Sequence, residues 1–118
     1  MLKTLPELIA QARENVTCIT ANEAVKKCKA LNGVFIDVRE PAEFANQSAT
    51  GAINIPRGVL EPQILEKITD AQKPIFIHCA TGGRATLAAE QLLRVGYENV
   101  WAITCKFDDV FKAHQTEN

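Results

Sequence analysis

Five short apolar segments are spaced along the chain, and in most of them the apolar residues follow one another without interruption. Continuous runs of this kind are typical of strands that are buried on both faces, as in a parallel sheet. The segments are Val16–Ile19, Val34–Val38, Ala52–Ile55, Ile75–His78 and Val100–Ile103. The pattern therefore predicts a sheet of five parallel strands.

Helical patterns, in which apolar residues recur three or four positions apart, lie between these strands. The predicted helices cover residues 21–31, 60–68, 85–95 and a segment from Phe107, with an additional helix over about residues 4–14. Strands that alternate with helices predict an α/β domain of three layers, in which a five-stranded parallel sheet is flanked by helices on both faces. The polar tail from Ala113 onward is expected to fray.

One domain is expected for the whole chain, because 118 residues with 47% hydrophobic composition suffice for a single core. The 13 basic and 14 acidic residues leave no positive excess for nucleic-acid binding. The apolar runs are far shorter than the roughly 20 residues of a membrane span, and Lys3, Glu7 and Arg13 interrupt the segment where a signal peptide is apolar. We therefore expect a cytoplasmic protein with neither a membrane nor nucleic acid as a partner.

The four cysteines lack the close spacing of zinc or Cys-x-x-Cys redox motifs, so we expect free thiols and neither a metal nor another cofactor. Cys18, in a predicted strand, and Cys28, on an apolar helical stripe, are expected in the core.

Cys79 stands out because it follows a predicted strand and precedes a glycine-bearing turn into a helix. Successive backbone N–H groups of such a turn point inward, and the helix N-terminus adds positive polarity, so a thiolate at the centre is stabilised. We therefore predict that Cys79 is a nucleophile. The turn residues are the predicted substrate-binding residues: Ala80, Thr81, Gly82, Gly83 and Arg84.

Other polar residues near this edge of the sheet have expected supporting roles. Asp37 and Arg39, at the end of their strand, should pair with each other or brace the turn. His78 precedes Cys79 and should point to the opposite face, where it packs or forms a hydrogen bond. For Arg84 two roles remain open: contact with an anionic substrate, or fixing the turn through a carboxylate.

The segment Cys79-Ala-Thr-Gly-Gly-Arg84 resembles the Cys-x-x-Gly-x-Arg active-site loop of the rhodanese family of single-domain sulfurtransferases. Asp37-Val-Arg-Glu40 and Gly51-Ala-Ile-Asn-Ile-Pro56 are similar to two further segments of that family, and the resemblance extends over about residues 17–113. It implies that Cys79 takes sulfane sulfur from a small donor such as thiosulfate, holds it as a persulfide, and passes it to cyanide, to a small thiol or to a protein thiol.

Loop size bears on an alternative chemistry. The tyrosine-phosphatase type of loop has five residues between cysteine and arginine, whereas four intervene here. The smaller loop offers fewer amide donors to a tetrahedral oxyanion, which argues against a phosphatase or arsenate reductase.

The chain also departs from the family pattern. It has Gln47-Ser-Ala49 where the family usually has Gly-His-Ile, and Cys105-Lys106 where two glycines usually follow the last strand. The altered loop and the additional N-terminal helix around Leu5 to Ala12 favour an alternative function, a non-catalytic protein-interaction or sulfur-relay module. Cys105 follows its strand as Cys79 does, so a resolving or sulfur-accepting role is a hypothesis for it, and a space-filling role is the alternative.

Overall fold

The computed structural model describes residues 1–117 and contains a sheet in which all neighbouring strands are parallel. The strand order is β1-β5-β4-β2-β3. The strands are β1 (Thr17–Ile19), β2 (Val34–Asp37), β3 (Ile53–Asn54), β4 (Ile75–His78) and β5 (Val100–Ile103). The predicted five-stranded parallel sheet is confirmed.

Helices cover both faces of this sheet. They are α1 (Leu5–Arg13), α2 (Ala21–Leu31), α3 (Pro41–Asn46), α4 (Leu60–Lys67), α5 (Gly83–Val95) and α6 (Phe107–Glu117), with a short 3₁₀ turn at Arg57–Val59. The helices α4 and α5 pack on one face, and α2 and α6 pack on the other. The predicted three-layer α/β architecture is confirmed.

The central strand β4 shows why the apolar runs are continuous. All four of its residues are buried, since Ile75 and Ile77 belong to the core beneath α4 and α5, whereas Phe76 belongs to the core beneath α2 and α6. A strand covered on both sides needs apolar residues at successive positions rather than at alternate ones. The C-terminal end of β4 therefore lies in the middle of the sheet edge, which is where open α/β sheets bind ligands.

Helix α3 was not predicted from the sequence. Pro41 stands in its first turn, and the Glu43 carboxylate accepts the N–H of Glu40 at 2.9 Å. A proline followed by a glutamate in the first turn is a helix-start signal, but six residues are too few to show an apolar stripe. This short helix supplies a side chain of the candidate site.

The expectation that the tail frays from Ala113 is wrong for residues 113–117, and Asn118 lies outside the described residues. Helix α6 continues to Glu117, with Ala113 and His114 both buried. The His114 ring packs edge-on against Phe35, with 4.4 Å between ring centroids, and its Nδ1 lies 3.0 Å from the Val110 carbonyl oxygen. The polar composition of this segment predicts fraying, but packing against the sheet holds it in a helix.

Cys18 is exposed, so its expected core position is also wrong, and Cys28 is half-buried. The strand β1 that carries Cys18 is an edge strand paired only with β5 among the described strands, so less of its surface is covered. Within residues 1–117, none of the helices combines the length and the apolar content that a bilayer crossing requires.

Candidate active site

Cys79 lies one residue beyond the end of β4, and its sulfur accepts two backbone hydrogen bonds from the following turn. The Gly82 N–H donates to Sγ at 3.1 Å and the Ala85 N–H donates at 3.3 Å. The helix α5 begins at Gly83, so both donors belong to the first turn or lie next to it. Free N–H groups at a helix N-terminus carry positive polarity, and here they are directed at the sulfur.

Gly82 gives the turn its shape. Its φ of +96° lies in the left-handed region, where a side chain is strained, and a Cβ at this position would lie 2.8 Å from the Thr104 carbonyl oxygen. The Gly82 carbonyl oxygen accepts from the Thr86 N–H at 3.0 Å and from the Thr86 hydroxyl at 2.7 Å. The β5–α6 connection therefore packs directly against the turn. This close approach is possible because Gly82 has no side chain.

The sulfur is enclosed in this conformation. Cys79 has a relative exposure of 0%, whereas Thr81 is exposed and Ala80 and Gly83 are partly covered. The Ala80 carbonyl oxygen accepts the Phe107 N–H at 2.9 Å, which ties the turn to the start of α6. A molecule that reacts with Sγ therefore has to displace part of this cover.

Arg84 holds a carboxylate. Its Nη1 donates to Glu43 Oε1 at 2.7 Å and its Nη2 donates to Oε2 at 3.1 Å, so the pair is joined by two parallel bonds. The Arg84 hydrogen bond lowers the pKa of Glu43 to about 2, with a further contribution from the Glu40 N–H. The same pairing raises the pKa of Arg84. Of the two roles left open for Arg84, the pairing with a carboxylate is present, and contact with an anionic substrate stays a prediction.

Asp37 and Arg39 pair with each other, as the sequence suggests. The Arg39 Nη2 donates to Asp37 Oδ2 at 2.7 Å, and both side chains are buried. Arg39 also donates to the Gln47 carbonyl oxygen at 2.7 Å, and its guanidinium lies 3.8 Å from the centroid of the Phe107 ring. This pair therefore joins the end of β2 to the start of α6.

His78 packs beneath the sheet on the face opposite Cys79. It is fully buried between aromatic rings, 5.2 Å from Phe35 and 6.1 Å from Phe107 between centroids. Burial lowers its pKa to about 4, against an opposing effect of Asp37, whose Oδ2 is 4.0 Å from Nε2. Neither ring nitrogen has a hydrogen-bond partner among residues 1–117. A neutral His78 is therefore a packing residue and does not act as a base for Cys79.

The structure does not bring Cys105 to Cys79. The Cys105 sulfur accepts the Ala21 N–H of α2 at 3.3 Å and packs against the core beneath α2 and α6. Cys79 belongs to the core on the other side of the sheet. A resolving role for Cys105 would require one of the two side chains to cross the sheet edge. Lys106, next to it, is exposed.

Three residues near the turn were not predicted from the sequence: Glu43, Thr104 and Ile9. Glu43 carried a weak signal, since it lies in the first turn after Pro41. Ile9 reaches Gly83 from α1 and Thr104 reaches Gly82 from the β5–α6 connection, and neither contact leaves a local pattern. Among residues 1–117, no three His, Cys, Asp or Glu side chains are grouped so that they could hold a metal ion.

Comparison with known proteins gives one family match and several relatives. The model of the rhodanese-like domain matches residues 20–112. A Schizosaccharomyces pombe protein, provisionally named a mitochondrial thiosulfate sulfurtransferase, is 34% identical in an alignment of 80 residues, and the match covers 57% of this chain and 55% of that protein. The chain thus spans about half the length of this relative. That relative is named as a mitochondrial protein, so the cytoplasmic location of this chain stays a prediction.

Two solved structures illustrate the fold. A Rhodopseudomonas palustris protein of unknown function superposes with a TM-score of 0.78 and 24% identity, covering 96% of this chain and 92% of that one. A rhodanese from E. coli superposes with a TM-score of 0.61 and 28% identity, covering 65% of this chain and 89% of that one.

Proposed function

The chain belongs to the rhodanese-like domain family, and on that premise we propose that it is a sulfurtransferase in which Cys79 carries sulfane sulfur as a persulfide. The single observation that carries the proposal is the pair of N–H groups, from Gly82 and Ala85, that donate to the Cys79 sulfur. These donors direct positive polarity at the sulfur. The thiolate is the form that attacks a sulfane sulfur.

The transfer proceeds in two displacements. In the first, the Cys79 thiolate attacks the outer sulfur of thiosulfate, the new S–S bond forms as the old one breaks, and the electron pair leaves with sulfite. In the second, a thiolate or cyanide attacks the outer sulfur of the persulfide, and Cys79 leaves as a thiolate. Covalent catalysis of this kind divides one transfer between two substrates that need not meet.

The small turn supports sulfur chemistry over phosphate chemistry. Four residues, Ala80 to Gly83, separate Cys79 from Arg84, and the Arg84 guanidinium is engaged by Glu43. A tetrahedral phosphate needs a ring of free donors around it, and this turn directs two of its N–H groups at the cysteine sulfur itself. A single sulfur atom added to the cysteine needs fewer hydrogen-bond donors than a phosphate does.

A second function, a protein-interaction or sulfur-relay module without thiosulfate turnover, is favoured by a different observation. Cys79 is fully buried, and Ile9 of α1 packs on the turn beside it. A site enclosed in this way would turn over small donors slowly and would open only when a partner displaced its cover.

Mass spectrometry of the cysteine peptides after incubation with thiosulfate tests the proposal. We expect the Cys79 peptide to gain the mass of one sulfur atom, and cyanide to remove it with formation of thiocyanate. Cys79→Ser should abolish both. Cys18→Ser is the matched control, because it removes an exposed thiol that lies elsewhere. If the wild type gains no sulfur on Cys79 and forms no thiocyanate, the interaction-module alternative is favoured instead.

A further inference from the structure

Three arginines near the C-terminal edge of the sheet are each paired with a carboxylate. The pairs are Arg39 with Asp37 at 2.7 Å, Arg57 with Glu61 at 3.0 Å, and Arg84 with Glu43 at 2.7 Å. A site that selects dianions usually offers unpaired positive charge, because such charge attracts and holds the substrate. Because each of these three arginines is paired with a carboxylate, each offers little net positive charge to a dianion.

The pair closest to Cys79 in sequence, Arg84 with Glu43, is held by several hydrogen bonds. Glu43 lies on α3, and its Oε1 accepts both the Arg84 Nη1–H and the Glu40 N–H. The second bond, to Oε2, fixes the guanidinium in the plane of the carboxylate. Both side chains are a little more than a third exposed, so the pair lies at the surface rather than in the core.

We propose that Glu43 determines the donor preference of Cys79: by neutralising Arg84 it disfavours the dianion thiosulfate relative to alkyl persulfides, whose reacting end carries at most one negative charge. This inference rests on the proposed sulfurtransferase function. Glu43 is a positioning and specificity residue in this scheme, since it acts through Arg84 and through its own charge rather than by contact with the reacting sulfur.

The step with a persulfide donor is balanced without a further reactant. The Cys79 thiolate attacks the outer sulfur of R–S–S–H, the Cys79–sulfur bond forms, and the bond between the two donor sulfurs breaks. The electron pair leaves with R–S⁻, and the proton stays on the transferred sulfur. No dianion has to approach the Glu43 carboxylate at any point.

Electrostatics gives the size of the effect. A carboxylate several ångströms from a dianion in a solvent-exposed setting repels it by about 1 kcal/mol at low ionic strength, which is roughly a fivefold change in affinity. Removal of that charge also frees the Arg84 guanidinium. We therefore expect Glu43→Gln to lower the KM for thiosulfate roughly fivefold with little change in kcat, and to change the KM for a persulfide by less than about twofold.

The test measures persulfide loading of Cys79 from thiosulfate and from 2-hydroxyethyl persulfide at low ionic strength. Glu43→Gln retains an acceptor for the Glu40 N–H but not the negative charge. Glu43→Asp retains the charge and should keep the wild-type preference. Glu98→Gln is the matched control, because it removes one exposed carboxylate at the opposite edge of the sheet, just before β5.

The inference holds if Glu43→Gln raises thiosulfate loading relative to persulfide loading, if added salt reduces this gain, and if Glu98→Gln and Glu43→Asp leave the ratio unchanged. A purely structural role would lower loading from both donors together, and that result would overturn the inference, as would an unchanged ratio in Glu43→Gln. Loading of wild-type Cys79 from neither donor would instead refute the sulfurtransferase proposal, and this inference with it.

Discussion

The side chain of Ile9, on the N-terminal helix α1, packs directly on Gly83 at the start of α5. A Cβ added to Gly83 would lie 2.9 Å from Ile9 Cδ1. Further along the same two helices, the Arg13 Nε donates to the Thr86 hydroxyl at 3.4 Å. Helix α1 lies outside residues 20–112, the part of the chain that matches the family model. Helix α1 therefore adds to the cover of the cysteine turn from outside the matched region.

We expect Gly83→Ala to destabilise the protein by about 1 kcal/mol at most, because the added methyl group meets only the end of the Ile9 side chain, which can shift. In an Ile9→Ala background the space is free, and the same substitution should be neutral or stabilising, since alanine is the better helix former. A double-mutant cycle from urea unfolding measures this coupling. Additive effects of the two substitutions would show that Ile9 does not rest on the turn.

Among alanine substitutions at Gly82, Gly51 and Gly58, Gly82→Ala should lower the stability of the protein most. It combines a left-handed backbone, φ +96°, with a contact of 2.8 Å to the Thr104 carbonyl oxygen, so we expect a loss of about 3 kcal/mol or more. Gly51→Ala has a φ of +82° but open space, and should cost about 1 kcal/mol. Gly58→Ala has neither problem and should be neutral. Chemical denaturation of the three variants gives the order, and equal losses would contradict it.

His78→Phe should stabilise the protein by about 1 kcal/mol near pH 6, because it replaces two buried ring nitrogens that lack partners within residues 1–117 with carbon atoms. The neighbouring Phe35 and Phe107 rings can accommodate another aromatic ring. Thermal unfolding of wild type and variant measures the difference. A marked loss of stability would mean that the histidine nitrogens have an essential partner.

The same residue predicts a pH dependence. The pKa of His78 is lowered to about 4 in the folded protein, whereas an unfolded histidine titrates near 6.5. As pH falls, the histidine of the unfolded chain therefore binds its proton before His78 of the folded protein does. The contribution of neutral His78 to the free energy of unfolding is fully present above about pH 6.5 and is lost between about pH 6.5 and pH 4. The loss amounts to about 3 kcal/mol at most. His78→Phe should remove this part of the pH profile, and an unchanged profile in the variant would contradict the assignment to His78.

The stability of the protein should depend far more on the buried Arg39–Asp37 pair than on the partly exposed Arg57–Glu61 pair. Arg39→Met leaves the buried Asp37 carboxylate without its partner and should cost about 3–5 kcal/mol. Arg57→Met breaks a partly exposed pair with Glu61 and should cost less than about 1 kcal/mol. Urea unfolding compares the two variants, which lose the same charge. Similar losses would show that Asp37 is solvated or finds another partner.

Much of the fold follows from local sequence pattern. The bounds of β4, β5 and α2 match the predicted ones, and the Thr20 hydroxyl accepts the Glu23 N–H at the start of α2. These features depend on residues within a few positions of each other. The helix over residues 41–46 was missed because its start signal was not followed by an apolar stripe long enough to detect.

The sequence by itself determined the parallel sheet and the place of Cys79 at the end of its central strand, because the run of apolar residues and the glycine turn after it are properties of neighbouring positions. Only the tertiary structure decided that Arg84 pairs with Glu43, that Ile9 covers Gly83, and that Cys105 lies on the other side of the sheet from Cys79. Each of these depends on which distant segments pack together. Such contacts form when whole helix and sheet faces are buried against each other. The sequence around a side chain does not indicate a partner that is 41 positions away, as for Arg84 and Glu43, or 74 positions away, as for Gly83 and Ile9.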